Sequence, residues 1–397
     1  MNEIISARVN ALAESETLAM ARRAREIEAQ GHAVIKLNIG EPDFQTPDHV
    51  KKGAKDAIDA GFSFYTPVSG TLELRQAIAE KLKRDNGLNW TAENIIVSTG
   101  AKQSIANILL TLLNPEDEVI VFTPYWVSYS EIIKLTGGKV VFVAGTFEND
   151  FKVTASQLAE AITPRTKAVL YSAPCNPTGA VYSKAELEAI ARVLEPHTNI
   201  HVVADEIYEY ICYEPTYTSI GSFPFLHDRV ITVNGFSKGF AMTGWRVGYM
   251  AATKALVLAC DKLQGQITSG TCSIAQKAAT AALKDLAPTY AMNATYLKRR
   301  DLVLALLREI PHVKSNTPQG AFYAFPDVSY YLGKMYEGKP VHTTDELTML
   351  LLSEAHIALV PGSAFGAPEY IRISFAASED NIREALTRLR DFLLKME

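Results

Sequence analysis

In the stretch VNGFSKGFAMTGWRVGYM, residues 233–250, one lysine, Lys238, stands between Ser237 and Gly239 just after the apolar run VITV. A lysine at a strand end can bury its stem while its amine faces a cleft. Burial disfavours the ammonium, and the neutral amine is a nucleophile for carbonyl carbon. The plain alternative is a surface lysine in a loop, the usual place for this residue type. Its neighbours weigh against that. The Ser237 hydroxyl adjoins it and Arg246 follows eight residues on, so a hydroxyl and a guanidinium can converge on one anion, for which a phosphate is the natural candidate.

Three other stretches supply further groups. NIIVS runs into TGAKQS, where Gly100, Ala101 and Lys102 open a helix whose free N–H groups and dipole suit a phosphate, although an ordinary helix start reads the same way. In ADEIYEY, Asp205 ends a strand and Tyr208 follows three residues later, so both can enter one cleft. A buried carboxylate needs a cationic partner. A protonated pyridine nitrogen would serve, with Tyr208 and Asn176 of APCNPTG beside a ring phenolate oxygen. Turn chemistry accounts for Asp and Asn as well, and Tyr or Trp is often simply core. Trp126 of TPYWVSY could stack on such a ring. A phosphate, a pyridine, a phenolate oxygen and an aldehyde for Lys238 together make pyridoxal 5'-phosphate, one ligand that satisfies every group.

The elements that must carry these groups are legible as well. Between about residues 94 and 252 the runs NIIVS, DEVIVF, KVVFV, TKAVLYS, IHVVAD, RVITVN and WRVGYMAA alternate with helical patterns, the mark of an α/β sheet of buried strands. Several runs end in polar or Gly-rich turns, and an open α/β sheet binds its ligand at the carboxyl ends of its strands. Beyond residue 254, the helical stretches KALVLACDKLQGQ and YLKRRDLVLALLREI precede strand candidates GAFYAF and YIRISFA and a last helix in EDNIREALTRLRDFLLKM, an α+β lobe. The segment before EPDFQTP is expected to pack with that lobe. Thr123–Pro124 and Asn176–Pro177, both at strand ends, are candidates for cis bonds.

With 39 Lys plus Arg against 44 Asp plus Glu, the net charge of -5 offers no basic field for nucleic acid or an anionic membrane surface. Four scattered cysteines without a CxxC pair argue against a zinc site or a disulfide framework, and a reducing compartment fits. The N-terminal stretch has charges where a signal peptide would have an apolar core, and no run approaches a membrane span, so a cytoplasmic location is expected.

The set GEPDF, YTPVSG, STGAKQ, PYWVSY, CNPTG, DEIYE, NGFSKGFAMTGWRVGY and RISFA, in this order over nearly the whole chain, resembles the class I aminotransferases of pyridoxal-phosphate fold type I. It is most similar to the bacterial aspartate aminotransferases of the Iβ group. The resemblance implies a large domain with a mainly parallel seven-stranded sheet sandwiched by helices, plus a smaller α+β domain. The expected division is an N-terminal arm with part of the small domain over 1–45, the large domain over 46–290 and the small domain over 291–397.

By the same resemblance Lys238 bonds the cofactor aldehyde and, once freed by the incoming amino acid, removes the Cα proton. Asp205 keeps the pyridine nitrogen protonated, Tyr208 and Asn176 meet the phenolate oxygen, and Trp126 stacks on the ring. Gly100, Ala101, Lys102, Ser237 and Arg246 surround the phosphate, with Tyr65 donated by the second subunit of a homodimer. Gly40 and Arg372 match substrate positions, the arginine gripping the α-carboxylate. A surface salt bridge on an edge strand is the alternative for Arg372. Lys102, Thr17 and Ser15 are candidates for a distal carboxylate. The implied activity is ping-pong transfer of the amino group of L-aspartate to 2-oxoglutarate. Alternatives are aromatic, alanine or other neutral amino acids, or prephenate, and a lyase or synthase of the same fold. Cys175 departs from the pattern, since many relatives have asparagine there.

Overall fold

A computed structural model describes residues 4–14, 16–213 and 217–397. A two-residue strand, β1 (Ile35–Lys36), precedes the seven runs read as strands. These are β2 (Ile95–Ser98), β3 (Glu118–Thr123), β4 (Lys139–Ala144), β5 (Thr166–Ser172), β6 (His201–Asp205), β7 (Val230–Gly235) and β8 (Gly248–Ala251). They form one sheet in the order β2-β8-β7-β6-β5-β3-β4. All neighbours are parallel except β8, which runs antiparallel to both β2 and β7.

Alternation along each strand explains why the runs are apolar throughout. In β3, Val119 and Val121 face one layer while Ile120 and Phe122 face the other, and in β5 Ala168 and Leu170 oppose Val169 and Tyr171. The first layer packs on helices Ala101–Leu112, Ser128–Thr136 and Lys254–Ile267 through Ile105, Ile108, Ile133 and Val257. Helices cover the other face through Leu158, Leu187 and Ile190 at one end and through Leu74, Ile78 and Ala278 at the other. Each fully buried aliphatic side chain of this kind contributes about 1.5–3 kcal/mol, so the sandwich is a rigid platform for whatever its edge carries.

A further core gathers strand β9 (Tyr323–Ala324), the strand Ile371–Ser374 and the helices Ala287–Arg308, Thr344–Glu354 and Glu379–Leu393. The helix Ala287–Arg308 continues unbroken through residue 290. β1 joins this assembly by parallel pairing of Ile35 with Ile357 and Lys36 with Ala358, as the segment before EPDFQTP was expected to do. Tyr208 and Ile207, at the sheet's edge, belong to the same core, so the two assemblies meet where the β6 turn lies. The bonds Thr123–Pro124 and Asn176–Pro177 are cis, as is Ala173–Pro174, which the sequence reading did not single out. No described helix is long and apolar enough to cross a membrane.

Candidate active site

Parallel strands deliver their carboxyl ends to one edge, and the sequence puts a polar turn on each. Ser98 leads to Gly100 and the helix from Ala101, Thr123 to Trp126, Ser172 to Asn176, Asp205 to Tyr208, and Gly235 to Ser237 and Lys238. The reversed strand β8 starts at this same edge, with Gly248 opposite Ser98 and Gly235, which brings Arg246 there too. Close approach is possible because Gly248 has no side chain: a Cβ would collide with the backbone of Gly100 and Ala101. Gly100 itself has φ +84°, and a Cβ there would strike the Arg246 guanidinium.

A cleft of about 510 Å³ results. Its walls include Lys238, Asp205, Tyr208, Asn176, Trp126, Ser237, Arg246, Ala101, Lys102, Gly40, Thr17 and Arg372. Gly100 stands just behind Ala101. Tyr65 does not join them: it is 99% exposed and lies outside the cleft of its own chain. Ser15 falls outside the described residues.

Lys238 donates from Nζ to the Gly40 carbonyl at 2.5 Å. Burial, then the nearby charge of Arg372, bring its amine down to about 8. The surface-lysine alternative is thereby excluded. Asp205 is 4% exposed and accepts from the Tyr129 hydroxyl at 2.6 Å and the Ile207 N–H at 3.3 Å. Burial lifts its carboxyl to about 6, while the Tyr129 hydrogen bond and the charge of Lys238 pull the other way. Tyr208 shares a hydrogen bond of 2.6 Å with Tyr323, and its ring centre lies 5.6 Å from the Lys238 amine. Burial raises the Tyr208 phenol well above its ordinary value.

Arg372 is 2% exposed, which overturns the surface salt bridge as its explanation. Its guanidinium donates to Asn176 Oδ1 at 2.9 Å and to the Asn38 carbonyl at 2.7 Å, and its Nε has no partner. Rings of Tyr323 and Phe365 flank it at 4.5 and 5.0 Å. Among the described residues no carboxylate pairs with it. A buried cation without a counter-ion is costly unless a ligand brings the charge.

At the cleft mouth Lys102 is exposed and its ammonium lies 4.8 Å from the Trp126 ring centre. Partial desolvation, then the charge of Arg246, hold it below its ordinary value. Trp126 meets Tyr129 edge to face, with centroids 5.4 Å apart. Arg246 is exposed, donates to the Thr243 carbonyl at 2.9 Å and has no carboxylate partner among the described residues. Leu18, Ala21, Ile39 and Val127 make one side of the cleft apolar.

Sequence reasoning missed Tyr129, Tyr323 and Glu41. Tyr129 lies three residues after Trp126, a spacing that puts both on one side of a helical turn and was there to be read. Glu41 accepts from the Thr243 hydroxyl and favours the charged form of Lys238. Nothing local marks Tyr323, whose role is set by a partner 115 residues away. Among the described residues no cluster of three or more His, Cys, Asp or Glu side chains is placed to hold a metal ion.

Residues 32–389 match the family model for aminotransferases of class I and II. The chain is 45% identical over 382 residues to the aspartate/prephenate aminotransferase of Cereibacter sphaeroides, covering 95% of this chain and 96% of that protein. Its fold is similar to the crystal structure of the aspartate aminotransferase from Rhizobium meliloti, with a TM-score of 0.96 at 41% identity and 99% of both chains covered. It is similar also to the aspartate aminotransferase from Thermus thermophilus with maleate, with a TM-score of 0.92 at 41% identity over 98% of this chain and 99% of that one.

Proposed function

Since the chain belongs to the class I and II aminotransferases, we propose that it transfers the amino group of L-aspartate to 2-oxoglutarate, with pyridoxal 5'-phosphate as cofactor. The observation that carries this reading is Arg372, a buried guanidinium without a carboxylate, in one cleft with the Lys238 amine and the Asp205 carboxyl. An amino acid's α-carboxylate supplies the missing anion.

The donor set fits the cofactor. Asp205, buried with only a hydroxyl and an N–H on it, is matched by a protonated ring nitrogen. Gly100, lacking a Cβ, makes room for the Arg246 guanidinium, and that cation with Ala101 and Ser237 beside it suits a phosphate. Tyr208 and Asn176 would hold the phenolate oxygen and Trp126 would cover the ring. When bound, the cofactor supplies a protonated ring that draws electrons from the substrate's Cα–H bond. Lys238, whose amine burial brings down to about 8, would accept the Cα proton and hand it on to the carbon that carries the cofactor's aldehyde. Asp205, held by Tyr129, keeps its negative charge fixed at the far end of the site.

Lys102 and Thr17 line the cleft and are the residues proposed to meet a distal carboxylate, with Ser15 retained as a further candidate. The maleate bound by the Thermus relative, a dicarboxylate, supports an acidic substrate. The apolar side formed by Leu18, Ala21 and Ile39 favours a second reading alongside the first, in which prephenate or a neutral amino acid is also used. Tyr65, exposed in one chain, supports a homodimer in which it serves the neighbouring site. The division into lobes stated above is part of this reading; the pairing of β1 with Ile357 and Ala358 supports an N-terminal arm that joins the C-terminal lobe, while the helix Ala287–Arg308 spans the boundary drawn at residue 290.

A visible absorption spectrum of the protein with pyridoxal 5'-phosphate, before and after L-aspartate, tests the reading together with an assay of glutamate formed from 2-oxoglutarate. A visible band that aspartate abolishes, and glutamate formation, are expected. Absence of both would overturn it, while release of ammonia or pyruvate would point to a lyase.

A further inference from the structure

Near the end of the helix Leu72–Asn86 stands a lysine that a charged helical stretch would normally leave in solvent, yet Lys81 is 1% exposed. Its ammonium forms an ion pair with Glu209 and donates to Asn86 Oδ1 at 2.6 Å. Asn86 Nδ2 in turn donates to Glu209 Oε2 at 2.7 Å, which closes a ring of three polar side chains. The next residue, Tyr210, donates its hydroxyl to Asp85 at 2.5 Å. One helix end thus grips two successive side chains of the turn that begins at Asp205. On its other side Tyr210 supports the lysine turn: a Cβ on Gly239 would stand 2.8 Å from Tyr210 Cβ, and Tyr210 meets Phe240 edge to face with centroids 5.3 Å apart.

A buried ion pair is a poor source of stability. Withdrawing two charges from water costs more than their attraction reliably returns, and apolar side chains of similar volume do as well or better. What the pair has and apolar packing lacks is direction, since each hydrogen bond fixes a distance and an angle. We propose that Lys81, Asn86 and Glu209 form a positioning device that sets the Asp205–Tyr210 turn against the Lys238–Phe240 turn. It rests on the reading above, in which Asp205 and Lys238 work on the same bound group. The chain of contact is continuous: the helix end holds Glu209 and Tyr210, Tyr210 bears on Gly239 and Phe240, and these fix the stem from which Lys238 enters the cleft. Without Lys81, Glu209 would keep only the Asn86 amide as a side-chain partner, and the turn would have to shift.

The test is the cofactor-loaded Lys81→Met protein, compared with wild type in kcat, KM for aspartate, and the pH dependence of the cofactor's visible band. A fall in kcat of about tenfold to a hundredfold is expected, the loss that follows a displacement of about 1 Å at reacting groups. It should come with full cofactor occupancy, KM within about threefold of wild type, and a shifted spectral pH midpoint. Wild-type kcat and midpoint, with only a lower melting temperature, would overturn the proposal and leave the cluster a matter of folding. Should Lys81→Met not fold, Tyr210→Phe, which removes only the hydroxyl on Asp85, decides by the same readouts with a smaller expected loss. Wild-type turnover and an inactive Lys238→Ala protein are the controls. Their failure would remove the aminotransferase reading itself, whereas a wild-type-like Lys81→Met beside an active wild type removes only this inference.

Discussion

The Tyr129 hydroxyl, from the first turn of a helix 76 residues upstream, donates to Asp205 Oδ2 at 2.6 Å, and the carboxyl it meets is still held up near 6 by burial. Between its ordinary 3.8 and about 6 the folded chain binds more protons here than the unfolded chain does, so in the cofactor-free protein stability falls as pH rises across that window. Above it the ionised group costs on the order of 3 kcal/mol. Asp205→Asn keeps an acceptor for Tyr129 and removes the charge. The cofactor-free variant should therefore melt higher than wild type at pH 7 and equal to it below about pH 4 in calorimetry. Its turnover should fall by about a hundredfold or more, because the fixed negative charge is lost.

Lys238 is shifted in the opposite sense, down from 10.5 to about 8 by burial and Arg372. Only the neutral amine attacks an aldehyde, so capture of pyridoxal 5'-phosphate by the cofactor-free protein should quicken by about tenfold per pH unit and level off near pH 8. Stopped-flow absorbance checks this, and a rise continuing to pH 10 would show an ordinary lysine. Borohydride reduction followed by peptide mass spectrometry should find the pyridoxyl group on Lys238 and on no other lysine.

Arg372 should be irreplaceable even by lysine. Its planar fork already spends two donors on Asn176 and the Asn38 carbonyl, which orients the rest, and a flexible ammonium cannot reproduce that. In Arg372→Lys, kcat/KM should drop by about a hundredfold for acidic and neutral amino acids alike, the scale of a lost charge-assisted pair. Cofactor affinity should stay unchanged, and a loss confined to aspartate would reassign the arginine to the side-chain end of the substrate.

Lys102 should behave in the contrary way. Lys102→Ala is expected to lower kcat/KM for aspartate about tenfold more than for phenylalanine, since only the acidic substrate has a charge to lose. Equal losses would place Lys102 with the cofactor's phosphate.

Tyr65, 99% exposed next to Phe64 at 84%, presents two aromatic side chains to water with no role in their own chain's cleft. Sedimentation should give a dimer. Tyr65→Phe should weaken cofactor binding about tenfold, the worth of one hydrogen bond to a charged group, without dissociating it.

Much of this site could be read from the chain because its parts are strand ends, and strand ends are local. The apolar run VITV followed by a polar turn locates Lys238, and ADEIYEY does the same for Asp205 and Tyr208. What could not be read depends on partners far apart in sequence. Tyr323 matters because its hydroxyl reaches Tyr208, and Lys81 because a charged helix end happens to be covered by the β6 turn. Periodicity assigns such a lysine to solvent, and only the packed structure corrects it. Arg372 sat between the two cases: its place in a strand was visible, its lack of a counter-ion was not.

The reversed strand β8 has a consequence for how the chain is completed during synthesis. It fills the slot between β2 and β7, so until residues 248–251 emerge β2 has no sheet neighbour and β7 is bare along one edge. A nascent chain stopped before that point would already carry Lys238 and Asp205 but would offer two sticky edges to other chains. The last strand of this sheet to arrive also draws Arg246 into place, so the Arg246 corner of the cleft and the sealed sheet come into being together. Fragments ending between Arg246 and Ala251 are therefore expected to aggregate, and ribosome-bound chains to become protease-resistant only once β8 has cleared the exit tunnel.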